Sequence, residues 1–222
     1  MSKKLILLDA YALIYRAHFA FIKNPRINSK GLNTSAILGF CNSLLEVVNK
    51  FDPSHLAVVF DPPGGSDREG VFADYKANRQ EMPEDIRNAI PYIFELLKAM
   101  NIRIEMEQGY EADDVIGTLA KQAEKKGFKT YMMTPDKDFG QLVSENIFIY
   151  KPGRSGNPSE VLGPEEVCAK FEVENPLQVI DILGLWGDAV DNIPGVPGVG
   201  EKTAKKLISA YGSIETLIEN TA

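Results

Sequence analysis

The chain is poor in sulfur and in imidazole. Two cysteines, Cys41 and Cys168, and two histidines, His18 and His55, occur in 222 residues. The cysteines lie far apart among apolar or small neighbours and read as buried thiols of a reducing compartment; nothing asks for a disulfide. With only His18 and His55 available, a Ser-His-Asp arrangement is poorly supported, and both histidines read as structural. The absence of a P-loop pattern argues against a nucleotide hydrolase of that type. No apolar run approaches the roughly 18 residues a membrane span needs. Met1-Ser2-Lys3-Lys4 leads straight into a short apolar segment, with no targeting signal before it. These absences predict a soluble, cytoplasmic protein with no membrane partner. Basic residues are also outnumbered, 24 Lys and Arg against 31 Asp and Glu, for a net charge of −7. That balance argues at first against a nucleic-acid partner, whose phosphates attract a basic surface. The objection weakens if many of the acids converge on one metal-neutralised site, because the total charge then says little about the binding face.

What is present is an ordinary globular composition, 44% hydrophobic and 25% charged. It suits one large domain, or a domain with a small appendage, able to bury a proper core. Lys4 to Leu8 and His55 to Phe60 are short continuous apolar runs, as expected of strands buried on both faces. Each is followed by an acid, Asp9 and Asp61. Helical patterns cover Ala10 to Phe19, about Thr34 to Lys50 with Asn33 or Thr34 as cap, and Pro83 to Met100. Between them, residues 62–82 break the pattern with Pro62-Pro63-Gly64-Gly65 and then mix charge with isolated aromatics, which predicts an exposed, mobile segment. Ile102 to Met106 alternates like a half-buried strand. Phe128 to Met133 and Ile147 to Tyr150 are further strands, the first followed at once by Asp136 and Asp138.

Gly109-Tyr110-Glu111-Ala112-Asp113-Asp114 opens a helix that runs to Gly127, with Lys125 and Lys126 in its last turn. A helix N-terminus favours one acid as a cap, and this one carries three within four residues. Glu111 and Asp114 share a face, while Asp113 points elsewhere. Standing alone, the motif would be an over-acidic helix end in solvent. The order strand, helix, strand, helix changes that reading, because it predicts a mostly parallel sheet with helices on both faces and a ligand site beyond the C-terminal strand ends. Asp9, Asp61, Asp136 and Asp138 all fall there.

After Gly153 the character becomes helical: Glu165 to Phe171, Pro176 to Trp186, then Glu201 to Ala210. Between the last two lies a Gly/Pro-rich loop, residues 187–200, in which Asp188 and Asp191 stand three apart, so that a helical turn would put both on one side. The Gly/Pro run opens a helix at Gly200-Glu201-Lys202-Thr203-Ala204, whose free N–H groups suit a phosphate. An ordinary helix hairpin explains the loop equally well taken alone. The division expected is an α/β core over residues 1–160 and a helical subdomain over 161–222, and the end soon after Leu217 suggests an excised domain.

Asp9, Asp61, Glu111, Asp113, Asp114, Asp136, Asp138, Asp188 and Asp191 therefore share one expected location. Such a density of negative charge is strongly destabilising without a cation. Hard oxygen ligands with few His or Cys nearby point to Mg²⁺ or Mn²⁺ rather than zinc. Two such ions about 4 Å apart are the known arrangement for phosphodiester hydrolysis.

Leu8-Asp9, Phe60-Asp61, Tyr75-Lys76-Ala77-Asn78-Arg79, Gly109 to Asp114, Thr134-Pro135-Asp136-Lys137-Asp138 and Gly187 to Ala204 occur together in the order of the 5′-nuclease, or flap endonuclease, superfamily. The chain most resembles the 5′–3′ exonuclease domains of bacterial DNA polymerases I, over nearly its whole length. The resemblance implies a PIN-like, resolvase-like core with a C-terminal helix–hairpin–helix subdomain. It implies a monomer that hydrolyses DNA at 5′ flaps, nicks and 5′ ends by a two-metal-ion mechanism, leaving 5′-phosphates, in replication and repair, with a polymerase domain following in a full-length chain. The nine acids match the metal-site carboxylates. Lys76 and Arg79 match the basic residues that steer the scissile phosphate from an arch over residues 62–82, with Arg16 assisting. Tyr75 would stack on a base or anchor the arch. Main-chain carbonyls of Leu185, Trp186, Pro194, Val196 and Val199 match a K⁺ site, and Gly198, Gly200, Lys202 and Thr203 would grip DNA backbone beside it.

The chain departs from the family pattern in three places. Asp67 stands before Arg68 where an aromatic is usual, Pro135 replaces a common glycine before Asp136, and the helices that normally follow are absent beyond residue 222, which is expected to lower DNA affinity. Two other readings compete. A PIN-type metal-dependent ribonuclease shares the acidic strand ends but lacks the arch and the Gly/Pro hairpin. A non-catalytic DNA-junction module would need a degenerate metal site, whereas all nine acids are present.

Overall fold

The computed structural model describes residues 3–153 and 158–220. Its centre is a six-stranded sheet in the order β3-β2-β1-β4-β5-β6. The strands are β1 (Lys4–Asp9), β2 (His55–Val59), β3 (Arg103–Glu105), β4 (Lys129–Met133), β5 (Ile147–Lys151) and β6 (Glu160–Leu162). All pair in parallel except β6, which runs antiparallel to β5. The chain winds outward from β1 in one direction through β2 and β3, then restarts on its other side with β4. The sheet therefore has its switch point between β1 and β4, where a crevice opens at the C-terminal strand ends.

Both faces are covered, as the unbroken apolar strands require. Ile6 and Leu8 of β1, with Val58 and Phe60, face α1 (Ala10–Phe21), α2 (Ser35–Phe51) and α4 (Glu84–Ala99). Leu7, Ala57, Val59 and Met132 face the opposite layer, built from α5 (Ala112–Lys125), α6 (Pro164–Phe171), α7 (Val179–Trp186) and α8 (Glu201–Tyr211). This alternation follows from the two-residue period of a strand. Because the C-terminal helices share a core with α5, the loop after α7 is held at the strand ends that carry the acids. A short α9 (Ile214–Glu219) closes the described chain.

Two expectations are corrected. The chain after Gly153 is not wholly helical: Glu160–Leu162 adds the antiparallel edge strand β6, so the division at 160/161 falls inside that strand. Three residues are too few for a periodic signal, and here backbone pairing with β5 decides. Residues 62–82 are largely exposed, as expected, but contain α3 (Arg68–Val71) and bury Tyr75 at 8% exposure. The Gly/Pro loop forms no helical turn at Asp188. Gly187, at φ +77°, ends α7 in a conformation that suits glycine, and β7 (Gly187–Asp188) pairs antiparallel with β8 (Ile193–Pro194). Asp188 and Asp191 consequently meet different cations, Lys137 and Arg79. Among the described residues no helix is long and apolar enough to cross a membrane.

Candidate metal centre and nucleic-acid interface

Asp9 is both the last residue of β1 and the N-cap of α1. Ala12 N donates to its Oδ1 at 3.1 Å and Thr134 Oγ1 to its Oδ2 at 3.0 Å. Thr134, fully buried at the end of β4, also accepts from Asp136 N at 3.2 Å, so one hydroxyl ties the two central strand ends together. Asp61 Oδ1, one strand over, accepts from Ala112 N at 2.8 Å and so fixes the mouth of α5. Asp113 projects from that mouth toward Asp9, Asp61 and Asp136, and among the described residues it has neither a hydrogen bond nor an ion pair.

Burial and this like-charged company act on the inner acids together. Burial, then the charges of Asp9, Asp136 and Asp61, push the Asp113 carboxyl up to about 8. Burial raises Asp9 to about 6, against the hydrogen bonds from Ala12 and Thr134 and with the charges of Asp61 and Asp136.

The outer acids are neutralised by lysine and arginine. Arg68 forks onto Asp114, with Nη1 at 2.8 Å from Oδ2 and Nη2 at 2.7 Å from Oδ1, and reaches Glu111 at 3.2 Å. Lys76 Nζ lies 2.8 Å from Glu111 Oε2 and 3.8 Å from Asp191. Arg79 Nη2 donates to Asp191 Oδ1 at 2.7 Å. Lys137 Nζ bridges Asp188 Oδ2 at 2.5 Å and Asp138 Oδ1 at 3.1 Å. Burial opposes the charged forms of Glu111 and Asp188, but Lys76 holds Glu111, and Lys137 with Val190 N holds Asp188, below the ordinary carboxylate range. Asp138 stays raised, by burial and by Asp136, despite Lys137.

The arch is tied down by backbone as well as by charge. Lys76 N donates to Asp191 O at 3.0 Å, Asn78 Nδ2 to Ala189 O at 2.9 Å and Asn192 Nδ2 to Asp74 O at 2.7 Å. Tyr75, expected to stack or to anchor, anchors: its hydroxyl donates to Glu111 Oε2 at 2.9 Å from a buried position. Arg16 donates from its guanidinium to the carbonyls of Pro152, at 3.1 Å, and Gly153.

At the hairpin the backbones nearly touch. A Cβ on Gly195 would lie 2.3 Å from the Trp186 carbonyl oxygen and 2.6 Å from that of Leu185. Val196 N donates to Leu185 O, and Val199 N to Val196 O, both at 2.9 Å. Gly198, at φ +81°, leads to Gly200, the N-cap of α8, with Lys202 and Thr203 exposed in the first turn.

The donor set fits divalent cations. Asp9, Asp61, Asp113 and Asp136 are hard carboxylates with no ion pair among the described residues, and the enclosed Asp138 Oδ1 has only the Lys137 ammonium beside it, at 3.1 Å. Among the described residues no three acids already stand close enough to clasp one ion. The structure gives the reason in its ion pairs: Arg68, Lys76, Arg79 and Lys137 draw the outer carboxylates to themselves. Sequence reasoning missed Thr134 and Lys137, and left Arg68 without an acid partner. The signal for Lys137 was its place between Asp136 and Asp138; for Thr134 there was only its position at a strand end.

A parallel sheet that gathers carboxylates at its switch point, beside a close-packed Gly/Pro hairpin, defines a metal-dependent nuclease. Residues 4–172 match the family model of the 5′-3′ exonuclease N-terminal resolvase-like domain, and residues 174–222 that of the 5′-3′ exonuclease C-terminal SAM fold. The chain belongs to the 5′-3′ exonuclease family. It is 44% identical over 218 residues to a 5′-3′ exonuclease of Aquifex aeolicus, covering 98% of this chain and 73% of that one. It is also 44% identical over 220 residues to DNA polymerase I of Bacillus subtilis, covering 98% of this chain and 24% of that far longer one. The fold is shared with bacteriophage T5 5′-exonuclease bound to zinc ions, at TM-score 0.81 and 19% identity, covering 98% of this chain and 79% of that one. A complex of the T5 flap endonuclease with DNA and metal ions superposes at TM-score 0.79, with the same identity and coverage.

Proposed function

We propose that this chain hydrolyses DNA phosphodiesters at 5′ ends, nicks and 5′ flaps, with divalent ions held by the nine acids. The observation that carries this reading is the set Asp9, Asp61, Asp113 and Asp136, brought to the sheet's switch point with no ion pair to lysine or arginine among the described residues. Mg²⁺ or Mn²⁺ bound there would supply Lewis acidity toward the phosphate and lower the pKa of water.

The chain's own residues do the rest. Thr134 and the amides of Ala12 and Ala112 fix the carboxylate orientations before any ion arrives. Lys76, Arg79 and Arg68 sit over the acids and are placed to exchange their carboxylate partners for the substrate's phosphates, so the cleft can accept an anion. Arg16 reaches this cleft only by leaving the carbonyls of Pro152 and Gly153. The carbonyls of Leu185, Trp186, Pro194, Val196 and Val199 suit a K⁺ ion, with Gly198, Gly200, Lys202 and Thr203 gripping duplex backbone independently of sequence. The functional division we place between the two family models, near residue 173. A polymerase domain following in a longer chain would receive the nicked product.

A labelled 5′-flap duplex, incubated with the protein in Mg²⁺ and in EDTA, tests the reading. Cutting in Mg²⁺ alone, at the flap junction or 5′ end, is expected. Binding without cutting would make the protein a junction module, and preferential cutting of single-stranded RNA would make it a ribonuclease.

A further inference from the structure

Lys137 lies between two proposed ion ligands in sequence, yet its side chain spans a larger gap. Its ammonium meets Asp138, from the core, and Asp188, from the hairpin at the end of α7, while lying 5.4 Å from the centre of the Trp186 ring. The side chains of Lys137 and Asp188 are 27% and 14% exposed, so the pair is shielded from water more than a surface ion pair. Lysine suits a displaceable contact, being a point charge on a flexible stem, whereas arginine would fork and hold. The aromatic face beside it gives the ammonium a second favourable position when the carboxylates are taken.

We propose that Lys137 is a positioning residue whose ammonium clasps Asp138 to Asp188 and yields both carboxylates to one of the two proposed divalent ions, which this competition makes the more weakly held of the pair. The clasp holds the hairpin acid on the core acid in the ion's absence, and the ammonium competes with the ion for both sets of oxygens. A doubly charged ion then outcompetes one ammonium for the same oxygens. This inference rests on the proposed divalent site and deepens it.

The chain has one tryptophan, so its emission reports on Trp186 alone. Mn²⁺ titration of the wild type, followed by calorimetry and by Trp emission, is expected to show a tighter and a weaker event, with the emission change confined to the weaker. Lys137→Met should tighten the weaker event about tenfold and erase its emission change, with the tighter event moved less. Lys137→Arg should restore the weak affinity, and it retains a readout if the methionine variant folds poorly. An unchanged or weakened second event in Lys137→Met, or an emission change that survives it, would overturn the proposal while leaving the divalent site standing. Failure of the wild type to bind Mn²⁺ at all would overturn both.

Discussion

The inner and outer acids at the crevice are chemically alike and physically opposite. Asp9, Asp61 and Asp136 accept only from backbone amides or a hydroxyl, Asp113 has no hydrogen bond among the described residues, and Asp9 and Asp113 bear the repulsion of their acidic neighbours. Glu111, Asp114, Asp138, Asp188 and Asp191 each meet a lysine or arginine, Glu111 from a position as buried as that of Asp9. The strand ends hold Asp9, Asp61 and Asp136 in place because each also accepts from the first turn of a helix, and Asp113 rides on the helix that Asp61 braces. Arg68, Lys76 and Arg79 from the arch and Lys137 from the core then complete the outer group. The difference implies that ions and substrate do different jobs at the two places: at the inner set they relieve a strain already present, and at the outer set they must displace a partner.

The sharpest way to break this contrast is Asp113→Asn. Loss of that charge removes a ligand no nearby cation replaces, so flap cleavage should fall by roughly 10³-fold or more, about 4 kcal/mol of transition-state stabilisation. The ion-free variant should nonetheless melt higher than wild type near neutral pH, because folding no longer has to load a proton onto a carboxyl held at about 8. Activity within tenfold of wild type, or a lower melting temperature in EDTA, would dissolve the distinction.

Next in size is the pH dependence. Asp9 and Asp113 titrate from about 3.8 unfolded to about 6 and about 8 folded. Between those values the folded state binds more protons than the unfolded one, so rising pH weakens the fold. In EDTA, this pair should therefore lower the melting temperature from about pH 4 to about pH 8 and add nothing further above it. Glu111 and Asp188, held low by Lys76 and Lys137, act oppositely: their stabilisation is present above the ordinary carboxylate range and is lost as pH falls through their folded values. Mg²⁺ should flatten the neutral-side loss. Melting curves across pH with and without the ion would show it, and an EDTA profile that rises from pH 5 to 8 would contradict the inner set's assignment.

The same division marks what the sequence made legible. Asp9, Asp61 and Asp136 could be placed because each follows an apolar run, and a parallel sheet brings such ends to one edge. The periodicity of α5 separated Asp113 from Glu111 and Asp114 correctly, since helical spacing is a local property. Partners were less legible, because an ion pair such as Arg68 with Asp114 or Lys137 with Asp188 joins segments whose approach depends on the whole fold. The turn at Asp188 was misread for a related reason. A three-residue spacing suggests a helix, but Gly187 at φ +77° and the close approach of Gly195 turn the chain into a hairpin instead.

Lys76→Ala probes the outer set. Lys76 is paired with Glu111 and lies in the left-handed region at φ +57°, a conformation held by its amide bond to Asp191 O. The substitution should lower the cleavage rate about 10- to 100-fold through lost phosphate steering, a cost of ~1.4–2.7 kcal/mol. Affinity for Mn²⁺ should stay within a fewfold of wild type, since the inner ligands are untouched. A large loss of ion affinity with normal turnover at saturating ion would move Lys76 into support of the metal site.

The smallest expected effect separates anchoring from stacking at the same segment. Tyr75→Phe keeps the ring and deletes the hydroxyl that donates to Glu111. If Tyr75 anchors the arch, the change removes one hydrogen bond to a partly buried carboxylate and should cost about 1–2 kcal/mol of stability in EDTA. Glu111 keeps Lys76, Arg68 and the Ser66 hydroxyl at 3.0 Å, so its charge is not stranded and the loss stays at that level. Substrate KM should barely move, because the ring presents no open face to a base. If Tyr75 instead stacks on the substrate, Tyr75→Phe would leave both stability and KM near wild type, and Tyr75→Leu would raise KM with little change in melting temperature. The buried position of the ring favours the first outcome, in which Tyr75→Leu lowers the melting temperature further than Tyr75→Phe.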